Sequence, residues 1–422
     1  MFEIEKVNGL TLIFSPFKDI QTASLGVFFK VGSRYEKKTL KGIAHFLEHM
    51  VFKGSKNYSH LKIKREVEGR GGSLNAFTSQ EITAYYAHFL KKNLNSALDI
   101  ILDMVINPTI SESDIKKERN VILEEIKMYN DLPSSRASIL LDNMIWQRHP
   151  LGQEVIGYSE TVNKIKRSDL INFKNFSYNP SRMVISFSGD FPKNEIIKYI
   201  SKKIHKKNTP SNLKIIAPQR QSGINIAIET KNLEQTHLCL GFRGLAYKNP
   251  LRTTIQLINV ILGANMSSRL FEELREKRSL CYDISTEVRK YQDSGAFTIH
   301  TGLDKNSIIL ALETILRTLA KLKSKKISKG ELSRAKDYLL GQIAMNLERP
   351  QGMMFYLAEN YLTLDKIYDF TQVREKIESI DPEQIRNLAL KIFNFKNVNV
   401  SCVGNVDKSI AKKIKSTIKK YA

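Results

Sequence analysis

Two histidines four residues apart, His45 and His49, stand in the stretch Gly42-Ile43-Ala44-His45-Phe46-Leu47-Glu48-His49-Met50-Val51-Phe52. On a helix both imidazoles share one face, one turn apart, where they can bind a single metal ion. Glu48 lies on the same side, close enough to take a proton from a water that such a metal activates. The order His-x-x-Glu-His is the inverted form of the zinc-peptidase signature. The structural alternative is a core helix with two histidines and an incidental glutamate. A catalytic zinc needs three protein ligands and an open position, so a third donor must come from elsewhere.

A long helix over about 112–130, N-capped by Ser111 with Asp114 three residues on, is the natural source. Glu118 and Glu125 are seven apart on it, two turns, so they point the same way. Val121 and Ile122 are expected on that side, which would bury it. Buried carboxylates are costly unless paired or on a metal. Glu125 is the candidate ligand, with Glu118 orienting a histidine N–H, while Glu124 is rotated towards solvent. The alternative is an exposed acidic helix with Arg119 and Lys127 in surface pairs.

The elements around these residues follow from pattern. Leu10–Phe14 and Thr22–Val31 read as strands and Leu74–Phe89 as a hairpin. Helices are expected over 41–52, 59–69, 91–106, 134–147, 168–176 and 193–204, with a strand at 183–187 ending at Gly189. Gly69, Gly71 and Gly72 lack the Lys-Ser/Thr ending of a phosphate loop and lead into a strand. A polar, Pro-bearing stretch follows the helix at 193–204, and then the grammar restarts. Thr236 opens a strand signal 214 residues after Thr22, and Gly404 closes one 215 after Gly189. Two signals at nearly one offset indicate a duplicated domain. The expected division is a catalytic metal-binding domain at 1–207, a linker at 208–222 and a homologous domain at 223–422. The motif does not recur: Asn259 and Gly263 stand 214 past His45 and His49.

Size and composition fit this scheme. The 422 residues allow two or three domains, and 42% hydrophobic content supports sizeable cores. The net charge of +23 is spread over the whole length, with no aromatic-interleaved basic block. It reads as a solvated basic surface, and no nucleic-acid partner is expected. Cys239, Cys281 and Cys402 are odd in number and far apart, against a disulfide framework or a thiolate zinc site. The N-terminal residues lack the apolar run of a signal peptide, and no stretch has the length of a membrane span. The expectation is a cytoplasmic protein without a membrane partner.

These motifs together resemble the pitrilysin/insulinase peptidases, in particular the short-chain branch of the mitochondrial processing peptidase and its bacterial relatives. His45-Phe46-Leu47-Glu48-His49 matches the family motif, Glu125 falls 76 residues after His49 where that branch keeps its third ligand, and Glu118 matches the glutamate behind the ligands. The resemblance implies one zinc per chain on His45, His49 and Glu125, with Glu48 as general base. Gly71-Gly72-Ser73-Leu74-Asn75-Ala76-Phe77-Thr78 looks like the family's substrate-binding edge strand, where Asn75, Ala76 and Phe77 would pair with an extended peptide. Arg275 and Tyr282 match a pair that contacts the substrate carbonyl. Cys281 stands where a small Gly or Ala is usual. The implied architecture is α+β: two homologous domains, each a mostly antiparallel sheet with helices packed on one face, together half of a clamshell. With two domains rather than four, the chain is expected to pair as a homodimer, or as a heterodimer with an inactive paralogue, so that Arg275 and Tyr282 serve the partner's zinc. Ser135 and Ile139 stand where the mitochondrial enzyme has acidic residues, which puts arginine-directed cleavage in doubt. The implied activity is zinc metalloendopeptidase hydrolysis of peptides inside a closed chamber. A non-catalytic structural or partner subunit of the same fold is the competing reading.

Overall fold

In a computed structural model the described residues are 2–205 and 215–422. The first part of the expected linker at 208–222 lies outside them. The strands of the first half are β1 (Glu3–Val7), β2 (Leu10–Pro16), β3 (Thr22–Phe29), β4 (Ser73–Thr78), β5 (Thr83–Leu90) and β6 (Met183–Gly189). They form one sheet in the order β1-β2-β6-β3-β5-β4. Only β2 and β6 run parallel. The second half contributes β7 (Asn225–Thr230), β8 (Thr236–Arg243), β9 (Cys281–Lys290), β10 (Gly295–Leu303) and β11 (Asn399–Gly404). Their order is β7-β11-β8-β10-β9, with β7 and β11 parallel. Apart from β1 the second sheet repeats the first strand for strand, as the sequence offset predicts.

Alternation along β3 sorts its side chains to two faces. Leu25, Val27 and Phe29 join a core built with helices of the same half: α1 (Ile43–Val51), α2 (His60–Val67), α3 (Leu94–Ile106) and α4 (Glu112–Asp131). Phe28 points the other way and meets Met354, Leu357 and Ala358 of the helix Pro350–Leu364. The second sheet does the reverse. Leu238, Leu240 and Phe242 of β8 face helices of the second half, while Cys239 faces Ala137, Leu141 and Ile145 of α5 (Pro133–Trp146). The compact units are therefore not two cuts of the sequence. One comprises Met1–Lys127, Glu154–Ile215 and Met345–Ile367, the other Met128–Gln153, Ile216–Ala344 and Tyr368–Ala422.

Each sheet thus has most of its helices on one face, as expected, and one helix from the other half of the sequence on its back. The physical reason is cover: the back faces carry Phe28, Ala84 and Val184 in one sheet and Cys239, Ala296 and Val403 in the other. Left open, they would expose apolar surface. A glycine on the back of each sheet admits its helix. A Cβ on Gly241 would stand 2.5 Å from Ile145 Cδ1, and one on Gly26 would stand 3.0 Å from Met354 Sδ. Polar links fix α5 in place. Ser401 Oγ donates to the Ala137 carbonyl at 2.6 Å, and Arg289 forks onto Asp142 at 2.5 and 2.6 Å.

Candidate metal centre

Helix α1 carries the motif and is held by Ile43, Phe46, Leu47, Met50 and Val51, all in the core of the first unit. The intervening positions put His45, Glu48 and His49 at its half-buried rim. Helix α4 starts where expected, the Asp114 amide donating to Ser111 Oγ at 3.1 Å. Its buried stripe is Ile115, Glu118, Ile122 and Ile126. Val121, expected on that side, is instead 49% exposed. Three residues beyond Glu118, it falls about 60° off the stripe on the flank opposite to Ile122.

The two helices bring His45, His49 and Glu125 together, with one ligand atom from each lying within 4.8 Å of the others. Glu125 Oε2 is 3.8 Å from His45 Nε2 and 3.6 Å from His49 Nε2. Ligand atoms on a tetrahedral zinc with bonds near 2.0–2.1 Å are separated by about 3.3 Å. Two imidazole nitrogens and a carboxylate oxygen at these spacings fit such an ion without rearrangement of the helices. On the far side of His49, Nδ1 donates to Glu118 Oε2 at 3.1 Å, which leaves Nε2 as the free lone pair. Lys53 Nζ holds the other Glu118 oxygen at 2.7 Å. Lys53 is a partner that sequence reading missed. It follows His49 by four residues, in the turn just past the end of α1, and that spacing is the signal that could have shown it.

The electrostatics suit metal binding. Burial, with His49 beside it, pushes the His45 imidazole down to about 3, so it stays neutral. Burial alone would raise Glu118, but the hydrogen bonds from His49 and Lys53 outweigh it and hold the carboxyl below its ordinary value. Burial raises Glu125, against the pull of His49. Glu48 is raised too, by burial first and then by Glu125, opposed by the Thr78 hydroxyl and His49. Thr78 Oγ1 donates to Glu48 Oε2 at 2.5 Å. A carboxylate with a raised proton affinity beside three metal donors is suited to accept a proton and give it back.

Strand β4, which ends at Thr78, is the edge of its sheet and pairs only with β5 among the described residues. Leu74 and Ala76 face the helical core, Thr78 reaches Glu48, and Asn75 is exposed. Phe77 turns to the back face, where its ring lies 6.1 Å from that of Phe355. The strand can therefore offer a peptide its backbone and the Asn75 side chain, with the Phe77 ring committed to packing. Arg275 and Tyr282 belong to the second unit. The Arg275 guanidinium stacks 4.8 Å from the Phe271 ring and 4.9 Å from the Tyr282 ring, and Tyr282 is 78% exposed. Cys281 packs in the core between them and β10. Ser135 and Ile139 lie on α5.

Comparison with known proteins identifies the family. Residues 14–159 match the family described as Insulinase (Peptidase family M16), and residues 164–339 match the Peptidase M16 inactive domain. A Bacillus subtilis protein named as an uncharacterized zinc protease, YmxG, is 34% identical over 389 residues, covering 92% of this chain and 94% of its own. A Mycobacterium leprae protein, also named as an uncharacterized zinc protease, is 32% identical and covers 92% of this chain and 88% of its own. The crystal structure of a protease from Helicobacter pylori superposes with a TM-score of 0.90 at 23% identity, covering 96% of this chain and 99% of that one, a likeness of fold. With both halves matched and full-length relatives at this identity, the chain belongs to the insulinase (M16) peptidase family, in its short two-domain form.

Proposed function

We propose that the chain is a zinc metalloendopeptidase acting on extended peptides or short unfolded polypeptides. The observation that supports this best is the convergence of His45, His49 and Glu125 with Glu48 beside them and Glu118 behind His49. Bound there, one zinc per chain would supply Lewis acidity, acidifying water and polarising the scissile carbonyl. Glu48 removes the proton from the attacking water and returns it to the leaving amine. Thr78 holds that carboxylate in place, and the open edge of β4 aligns the peptide backbone. Arg275 and Tyr282 steady the carbonyl oxygen as it gains charge. In this reading the chain acts as a homodimer whose closed chamber admits unfolded peptides, with Arg275 and Tyr282 working at the partner's zinc. The three free cysteines suit a reducing compartment, the cytoplasm.

The test is Glu48→Gln with metal analysis. Purified protein should carry about one zinc per chain, and the variant should keep it while cleaving a quenched peptide about 10²–10⁴-fold more slowly. Wild-type cleavage by the variant overturns the assignment of the base. Absence of zinc together with indifference to chelators overturns the metal assignment. A non-catalytic partner subunit, the competing reading, would bind zinc without turning over any peptide library.

A further inference from the structure

Helix α1 has no N-cap of the usual kind. Its cap position is Gly42, at φ +93°, and no side chain closes the first turn from there. None can stand there. A Cβ on Gly42 would lie 2.5 Å from the Ile156 carbonyl oxygen and 3.0 Å from Gly157 Cα. The amides at the start of a helix need acceptors all the same. They find them in Glu36, six residues upstream. Glu36 Oε2 accepts from the Gly42 amide at 3.1 Å and Oε1 from the Ala44 amide at 2.9 Å. The Glu36 side chain is fully buried, with the Lys41 ammonium 3.9 Å away. Lys41 itself donates to the Ser33 carbonyl at 3.1 Å.

The loop that carries Glu36 is tied at its other end to the β4–β5 hairpin. The Ser33 and Arg34 amides donate to the carbonyls of Ser79 and Gln80 at 3.1 and 2.9 Å. Arg34 Nη1 pairs with Glu81 Oε1 at 2.5 Å, both side chains buried. This hairpin carries Thr78, the partner of Glu48. One buried strut thus runs from the first turn of the motif helix to the strand that orients the general base. Ala44, one end of the strut, immediately precedes His45.

We propose that Glu36 is a positioning residue for the metal centre: by capping α1 from the 33–36 loop it fixes the direction in which His45 and His49 present their nitrogens. This rests on the zinc reading above, and the experiment separates the two. Glu36→Gln alone strands the Lys41 charge, so the informative variant is Glu36→Gln/Lys41→Met. Removing both charges keeps the fold stable while weakening the cap. A second variant, Glu36→Asp, keeps the charge but draws the carboxylate back by one methylene. Zinc affinity is measured by competition with a chromophoric chelator, alongside thermal melting and steady-state kinetics. Both variants should bind zinc about 10–100-fold more weakly. At saturating zinc, kcat should fall with KM unchanged, and the double variant should melt near the wild-type temperature. If wild type binds zinc and both variants match it, Glu36 is merely structural and the proposal fails alone. If wild type binds no zinc, the zinc reading fails and the proposal falls with it.

Discussion

Replacing Glu118 should loosen the metal without touching a ligand. Glu118 accepts from two donors, His49 Nδ1 at 3.1 Å and Lys53 Nζ at 2.7 Å. Glutamine offers one acceptor oxygen, and its amide NH₂ must turn away from one of the two donors. The Lys53 side chain is 26% exposed and can swing to water, whereas His49 is fixed on α1. In Glu118→Gln the oxygen therefore stays with His49, and the bond changes from charge-assisted to neutral. Charge-assisted bonds contribute about 1.5–3 kcal/mol and neutral ones about 0.5–1.5. The difference, about 1 kcal/mol, corresponds to roughly 5-fold in zinc affinity. Glu118→Ala loses the bond altogether and should cost about 10–100-fold. Chelator competition at fixed pH, with circular dichroism to confirm the fold, measures both. The order wild type, glutamine, alanine is the signature of an orienting carboxylate. An alanine variant within twofold of wild type would refute the idea that Glu118 sets the His49 nitrogen for the metal.

Three other outcomes follow from the packing. Asp99 accepts from Tyr58, Tyr199 and Lys203; burial would raise its carboxyl, but these bonds hold it below the ordinary value. A depressed carboxylate stabilises the fold above its unfolded pKa, and the contribution disappears as pH falls through the folded one. Asp99→Asn should therefore cost about 1–2 kcal/mol at pH 7, and the gap in denaturant midpoint should close towards pH 3; a gap that does not change with pH contradicts this. Burial pushes the Cys239 and Cys402 thiols up to about 12, and Cys281 is buried and raised as well. Since the thiolate is the reactive form, a disulfide reagent at pH 8 should label native protein at least about 100-fold more slowly than unfolded protein; fast labelling of any one thiol would show that its site opens. Leu357, 1% exposed on the back of the first sheet, should cost about 2–5 kcal/mol on truncation to alanine, despite its distance in sequence from that sheet. A loss below about 1 kcal/mol would mean that the exchanged helix does not hold the first unit.

What was legible in the sequence was whatever repeats at a local period or offset. The strands, the Ser111 cap, the motif helix and the pairing of Glu118 with Glu125 follow from spacings of two, three, four and seven. What escaped was pairing across distance. The amphipathic pattern of 134–147 shows that α5 buries one side, yet nothing in it tells which sheet it covers. Glu36 lies in a loop with no period at all; only the absence of a capping side chain at Gly42 hints that some acceptor must come from elsewhere. Val121 was misplaced because a seven-residue spacing defines a line along the helix and leaves open which flank of that line is buried.

The duplicated half supplies a control on the motif that the molecule carries within itself. The helix Arg252–Leu262 occupies in the second unit the place of α1, between β8 and β9 as α1 lies between β3 and β4, and packs Ile255, Ile258 and Leu262 into its core. It carries no histidine. The frame therefore forms and packs without histidines. In the first unit the same frame carries Glu48 and Glu125 with carboxyls raised by burial, and His45 with an imidazole driven down to about 3. Each of these shifts records a charged form made less favourable by its surroundings, and so an arrangement that packing alone gives no reason to assemble. The fold accounts for the helix in both halves; the zinc site proposed above would account for what the first half places on it.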